Sequence, residues 1–220
     1  MSCIYMTFKE IYQIVILGNV FCGKTSICNR FCRSSIEKGY KATVGLEFYS
    51  APILIDNEYK AKIRIWDTSG LEKYKKIIEP YLKPLAGVIL VFDLTSKKSF
   101  ENVKMWKSLF EEFCENKDAP ILLFGNKCDL IEKFEVKQEE IDTYVKENNM
   151  IYYNCSAKSD INVHEGFSKL AHKIKKNVEN NKLTGIEKNL LYDINTKDTI
   201  KLNNRICTEG NETCPTCTIV

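Results

Sequence analysis

Residues 18–25 read Gly-Asn-Val-Phe-Cys-Gly-Lys-Thr, two glycines separated by four residues and followed by a lysine and a hydroxyl residue. Such a loop can turn its backbone N–H groups inward around phosphate oxygens, with Lys24 reaching the outer phosphates and the Thr25 hydroxyl offered to Mg²⁺. The apolar run Ile14-Val15-Ile16-Leu17 leads into it and a helix-forming stretch follows, so the positive end of a helix dipole is added. A polyphosphate nucleotide is the expected ligand. Asp67 ends the apolar run 63–66 and can hold Mg²⁺ directly or through water. Asn126-Lys127-Cys128-Asp129 and Cys155-Ser156-Ala157-Lys158 stand just beyond two further apolar runs. Guanine presents two donors, N1 and N2, that one carboxylate accepts together, whereas adenine sets its acceptor N1 against it. Asp129 therefore selects guanine.

These residues must be positioned by regular elements. Apolar runs recur at 14–17, 53–55, 63–66, 88–92, 121–124 and 151–153, separated for the most part by helical patterns, which is an α/β alternation. Val103, Trp106, Phe110 and Phe113 share a helical stripe, as do Val163, Phe167, Leu170 and Ile174. Runs 88–92 and 121–124 lack alternation, as central strands covered on both faces do. Thr43 to Ile55 and Lys60 to Trp66 flank the polar turn Asp56-Asn57-Glu58 and predict an antiparallel hairpin. The expected fold class is α/β: a six-stranded, mostly parallel sheet with one antiparallel edge strand and helices on both faces. Ligands of such sheets bind beyond the carboxyl ends of the strands, where the motifs above fall.

The 220 residues suit one domain plus a tail, 1–180 and 181–220. A formal net charge of +3 is too small to argue for nucleic acid as a partner. The longest wholly apolar or small-residue segment, 86–92, is far short of a membrane span, and the start Met1-Ser2 shows no secretory pattern. Three of the ten cysteines, Cys22, Cys128 and Cys155, fall inside the motifs, which fits a reduced, cytosolic setting better than a disulfide framework. His164 and His172 have no partner pattern and read as surface residues.

Over residues 10 to about 180 the sequence resembles the Ras superfamily of small GTPases, most closely its Rab branch. The resemblance rests on the phosphate loop, Asp67-Thr68-Ser69-Gly70, Asn126-Lys127-Cys128-Asp129 and Ser156-Ala157-Lys158. Thr43-Val44-Gly45-Leu46-Glu47-Phe48 is similar to the Rab first switch, and Lys62 to Asp67 and Phe92-Asp93-Leu94-Thr95 to Rab strand endings. It implies a P-loop small-GTPase fold, GTP or GDP as ligand, and Mg²⁺ held by Thr25, Thr43 and Asp67. Nucleotide contacts are implied for Gly18, Val20, Cys22, Gly23, Lys24, Thr25, Ser26, Tyr40, Thr43, Asp67, Gly70, Asn126, Lys127, Asp129, Ser156, Ala157 and Lys158. Thr43 and Gly70 would meet the γ-phosphate, so its loss would release segments around 35–48 and 68–82 to which effectors, exchange factors and activating proteins bind. Phe48, Trp66 and Tyr81 fall where Rab proteins place an aromatic triad read by partners; plain packing is the other reading.

The sequence departs from that family in its catalytic positions. Leu71 replaces the usual water-orienting glutamine and has neither donor nor acceptor. Val20 crowds the γ-phosphate where an activating arginine would enter, Phe21 is unusually large, and Ile36 replaces an aromatic that would stack on guanine. TBC-type activating proteins supply an arginine and a glutamine in trans, so Leu71 bears more on intrinsic turnover and Val20 on assisted turnover. Two readings follow: a slowly hydrolysing Rab-like switch in vesicle traffic, or a GTP-loaded, hydrolysis-deficient platform for partners. An ATP-dependent kinase is disfavoured by Asn126 to Asp129.

The stretch 181–220 is rich in Asn, Lys and Thr and reads as a flexible tail. Cys217 with Thr218-Ile219-Val220 fits a C-a-a-X box, with Cys214 as a second lipid acceptor, and no other Cys/His pair completes a zinc site. Prenylation machinery and a membrane are therefore expected partners. The expected location is the cytoplasmic face of intracellular membranes, with a soluble cytosolic pool.

Overall fold

A strand whose residues are apolar on both sides needs cover on both faces, and β4 (Gly87–Asp93) is buried at every position. The computed structural model describes residues 5–34, 43, 45–56, 59–70, 76, 79–83 and 85–193. The other strands are β1 (Tyr5–Gly18), β2 (Leu46–Asp56), β3 (Tyr59–Thr68), β5 (Ile121–Asn126), β6 (Ile151–Asn154) and β7 (Glu187–Asp193). They pair in the order β2-β3-β1-β4-β5-β6, with β7 on β1. All pairings are parallel except β2 with β3 and β1 with β7. The helices are α1 (Lys24–Arg33), α2 (Lys97–Glu101), α3 (Val103–Phe113), α4 (Gln138–Glu147) and α5 (Val163–Glu179).

Register fixes which helix covers which face. Val91 pairs with Phe124 and Phe92 with Gly125, so Phe124 and Phe92 point to opposite sides of the sheet. Phe124 meets Phe167 of α5 at a ring distance of 6.2 Å, and Phe92 meets Phe100 of α2 at 4.9 Å. Phe167 stacks in turn on Phe31 of α1 at 3.8 Å, which places α1 and α5 side by side. The expected fold class is the one found, down to the antiparallel hairpin at the β2 edge.

The sheet also carries a seventh strand in the stretch read as the start of the tail. β1 is fourteen residues long, but β4 covers it only from Ile14 to Gly18, which leaves the edge of its first half open. β7 takes up that edge, pairing Tyr5 to Ile11 with Asp193 to Glu187. Glu187 closes the join by accepting from Arg64 Nη1 at 2.8 Å and from Gln13 Nε2 at 3.2 Å. Asn116 holds the chain on its way there: its amide donates to the carbonyls of Leu85 (2.8 Å) and Thr184 (3.1 Å). Its oxygen accepts from the Thr184 N–H and hydroxyl, both at 3.0 Å. Leu183 is buried beside it. Backbone pairing, which needs no apolar side chains, thus carries strand structure past residue 180. Asn116→Ala is expected to lower unfolding free energy by about 2–3 kcal/mol in urea titration. Truncation after Asn181 should cost at least as much, and adding Asn116→Ala to it little more. Full additivity would show that Asn116 acts elsewhere.

Candidate functional site

The loop after β1 is closed by its own lysine. Lys24 Nζ donates to the carbonyls of Gly18 and Asn19, both at 2.8 Å, and burial lowers its pKa. Gly23 turns left-handed at φ 89°, and a Cβ there would collide with the Asn126 amide. Phe21 is left-handed too, at φ 63°, and is 64% exposed.

Behind the loop, the Thr25 hydroxyl donates to Asp67 Oδ2 at 2.6 Å and lies 2.9 Å from the Thr43 hydroxyl, which is 3.5 Å from the same carboxylate oxygen. Register sets Asp67 beside Ile16, and Thr68 Oγ1 donates to the Ile16 carbonyl at 2.8 Å, so the sheet itself aims the carboxylate. Asp67 is 0% exposed, and its Oδ1 has no hydrogen-bond partner among the described residues. Burial pushes the carboxyl up to about 6, against the pull of the Thr25 hydroxyl and the Lys24 charge. Two hydroxyls and a buried carboxylate with one unmatched oxygen offer hard oxygen ligands that fit a small divalent cation such as Mg²⁺.

Asn126 braces the opposite side. Its Nδ2 donates to the Cys22 carbonyl at 2.8 Å, and its Oδ1 accepts from Ala157 N–H at 3.2 Å and from the Cys155 thiol at 3.7 Å. Ser156 donates to Asp129 Oδ1 at 2.7 Å while accepting from Ser159 N–H at 3.0 Å, which orients the carboxylate. Gly70 lies so flush on the loop that a Cβ there would collide with Val20 N and with the Asn19 carbonyl group. Ser26 sits on α1 next to Thr25, and Lys158 is exposed at the end of its turn. Tyr40, Leu71, Ile36, Cys214 and Cys217 lie outside the described residues.

Two contributors escaped sequence reasoning. Asp93, at the end of β4, forms an ion pair with Lys127 at 2.5 Å while its other oxygen takes the Thr95 N–H and hydroxyl. Its position at a strand end, shared with Asp67 and Asn126, was the available signal. Arg30 of α1 donates to the carbonyls of Ala157 (2.9 Å) and Lys158 (3.2 Å) and so buttresses their turn; no spacing marks it. On the β2–β3 surface, Phe48, Trp66 and Tyr81 touch in sequence at ring distances of 5.1 and 4.8 Å, with Phe48 and Tyr81 exposed. Packing and display coexist there.

The Ser156–Asp129 pair stands beside the phosphate loop at the carboxyl ends of the strands, and fold and site together match a small GTPase. The Ras family model matches residues 13–176. The chain is 36% identical to Ras-related protein Rab-13 of Bos taurus over 76% of its own length and 81% of that protein's. It is 33% identical to Ras-related protein Rab-8B of Bos taurus over 76% and 80% of the two chains. It is 34% identical to GTP-binding protein ypt3 of Schizosaccharomyces pombe over 80% and 81%. The chain belongs to the Ras family and is Rab-like.

The raised Asp67 pKa has a definite sign. A carboxyl shifted upward on folding favours the native state fully below its unfolded pKa near 4, and that contribution is lost as pH rises through about 6. Without nucleotide and metal, Asp67→Asn is expected to stabilise the protein at pH 7.5 by up to about 3 kcal/mol, with the advantage gone at pH 4. Denaturant titration in EDTA at both pH values checks this; equal effects at both would contradict it.

Proposed function

We propose that this protein is a guanine-nucleotide switch of the Rab type that acts in vesicle traffic and hydrolyses GTP slowly. The observation that carries the nucleotide reading is the joining of Cys22, Asn126 and Ala157 by one amide, which ties the phosphate loop to the base-reading turn. Gly18, Val20, Cys22, Gly23, Lys24 and Ser26 would cradle the phosphates. Asn126, Lys127, Asp129, Ser156, Ala157 and Lys158 would hold guanine, and Tyr40 would complete the pocket. Thr25, Thr43 and Asp67 would hold Mg²⁺, which in this family neutralises developing charge on the phosphates. Thr43 and Gly70 would sense the γ-phosphate, and the aromatic row of exposed Phe48, half-buried Trp66 and exposed Tyr81 would be read by effectors.

Slow turnover is supported by residue chemistry. Leu71 cannot align a water for in-line attack, and phosphoryl transfer to water depends heavily on such positioning together with electrostatic stabilisation. Val20 carries a branched side chain on the peptide against which Gly70 lies, where it would crowd an incoming arginine. The same two residues favour a second reading, a GTP-loaded platform that never cycles. Single-turnover phosphate release from GTP, run with and without excess ATP, tests both. ATP should leave GTP occupancy unchanged, and Leu71→Gln combined with Val20→Gly should raise the rate at least about tenfold, about 1.4 kcal/mol in barrier. Ordinary rates in the unmodified chain would refute slow turnover, and undetectable hydrolysis in both would favour the platform.

Membrane attachment through lipidated Cys214 and Cys217 completes the reading. No helix among the described residues is long and apolar enough to cross a membrane. One lipid chain anchors only marginally, and residues 181–220 hold five Lys or Arg against five Asp or Glu, so no polybasic patch substitutes for a second chain. Replacing both cysteines by serine is expected to abolish flotation with membranes while leaving the melting temperature unchanged. Persistent flotation would exclude lipidation as the anchor.

A further inference from the structure

The indole of Trp106 is 1% exposed on α3, the helix that packs against β4 and β1. Its Nε1 donates to Asn19 Oδ1 at 2.7 Å. An indole N–H is a donor only, and a buried donor without an acceptor is costly, so this bond holds Asn19 in one place. Asn19 is the second residue of the phosphate loop, and three parts of the site meet on it. Its carbonyl shares the Lys24 ammonium with the Gly18 carbonyl. Its peptide link to Val20 is the surface on which Gly70 rests, with no room for a Cβ between them. Its side chain reaches away from both, into the helix layer.

We propose that Trp106 is a positioning residue for the phosphate loop, acting through Asn19. The indole sets the Asn19 amide, the amide sets its own main chain, and the main chain seats Lys24 and the Gly70 contact. The effect is therefore directed at the outer phosphates. The base-reading residues Asn126, Asp129 and Ser156 are held by a separate set of bonds, through Cys22 and Ala157, that does not pass through Asn19. This proposal rests on the reading of the site as a guanine-nucleotide site.

The test compares the affinities of the full chain for GDP and GMP, because GMP carries no phosphate beyond the first. Trp106→Phe keeps an aromatic ring but removes the donor; Asn19→Leu removes the acceptor from the loop side without touching the core; Asn19→Asp keeps an acceptor oxygen. Trp106→Phe and Asn19→Leu are each expected to weaken GDP at least about tenfold while moving GMP less than about twofold. Their combination should be no worse than the worse single change, and Asn19→Asp should stay within about threefold of the unmodified chain. If Trp106→Phe fails to fold, the two Asn19 variants decide alone. Equal losses for GDP and GMP, no loss from Asn19→Leu, or multiplying effects in the double variant would each overturn the proposal and leave Trp106 as core packing. An unmodified chain that binds neither nucleotide would instead overturn the reading of the site.

Discussion

The arrangement depends on one carboxylate held out of water. Asp67 stands at the end of β3, wholly buried, with one oxygen taken by hydroxyls and the other unmatched among the described residues. Burying a charge in this way is unfavourable unless a cation or enough donors compensate, and burial raises the Asp67 pKa against the pull of the Thr25 hydroxyl and the Lys24 charge. Lys24 lies near enough to lower that pKa, yet its ammonium is already committed to two loop carbonyls. The residual deficit is local and directional. It makes the site favourable to a divalent ion, between the loop on one side and Thr43 on the other. Because Ser69 N–H donates to the Gly45 carbonyl at 3.0 Å, the segments that follow and precede the β2–β3 hairpin are joined at the same point.

Loops leaving four different strands form one surface because their main chains are cross-linked, not because their side chains pack. Asn126 ties the phosphate loop to the Ser-Ala-Lys turn, Arg30 ties that turn to α1, and Asp93 ties Lys127 to the end of β4. Lys127 sits at φ 66°, and its ion pair with Asp93 holds the side chain in place from that unusual backbone. Asn126 and Asp93 are buried, while Arg30 and Lys127 are half-buried.

Much of this was legible in the sequence, for reasons tied to individual residues. Asp67, Asn126 and Ser156 are polar residues one to three positions beyond apolar runs, and in a parallel sheet such positions come together at the carboxyl ends of the strands. The hairpin at β2 was legible from its polar turn. Other features left no pattern. β7 is built by backbone pairing in an Asn- and Lys-rich stretch whose composition reads as tail. Trp106 falls on an apolar helical stripe, so its spacing reports burial and is silent about the indole N–H. Arg30 bonds backbone carbonyls 127 and 128 residues away, and a carbonyl acceptor has no residue identity to read.

The phosphate loop carries strain that these braces must hold. Phe21 adopts a left-handed backbone that costs an L side chain roughly 1–2 kcal/mol relative to glycine. On either side of it the main chain is fixed: the Asn19 carbonyl by Lys24, the Asn19 side chain by Trp106, the Cys22 carbonyl by Asn126. With both flanks pinned, the two intervening residues have little freedom to relax, so the loop keeps the curvature of a phosphate cradle even with bulky Val20 and Phe21 in it. The two bulky side chains therefore leave the main-chain course of the loop in place.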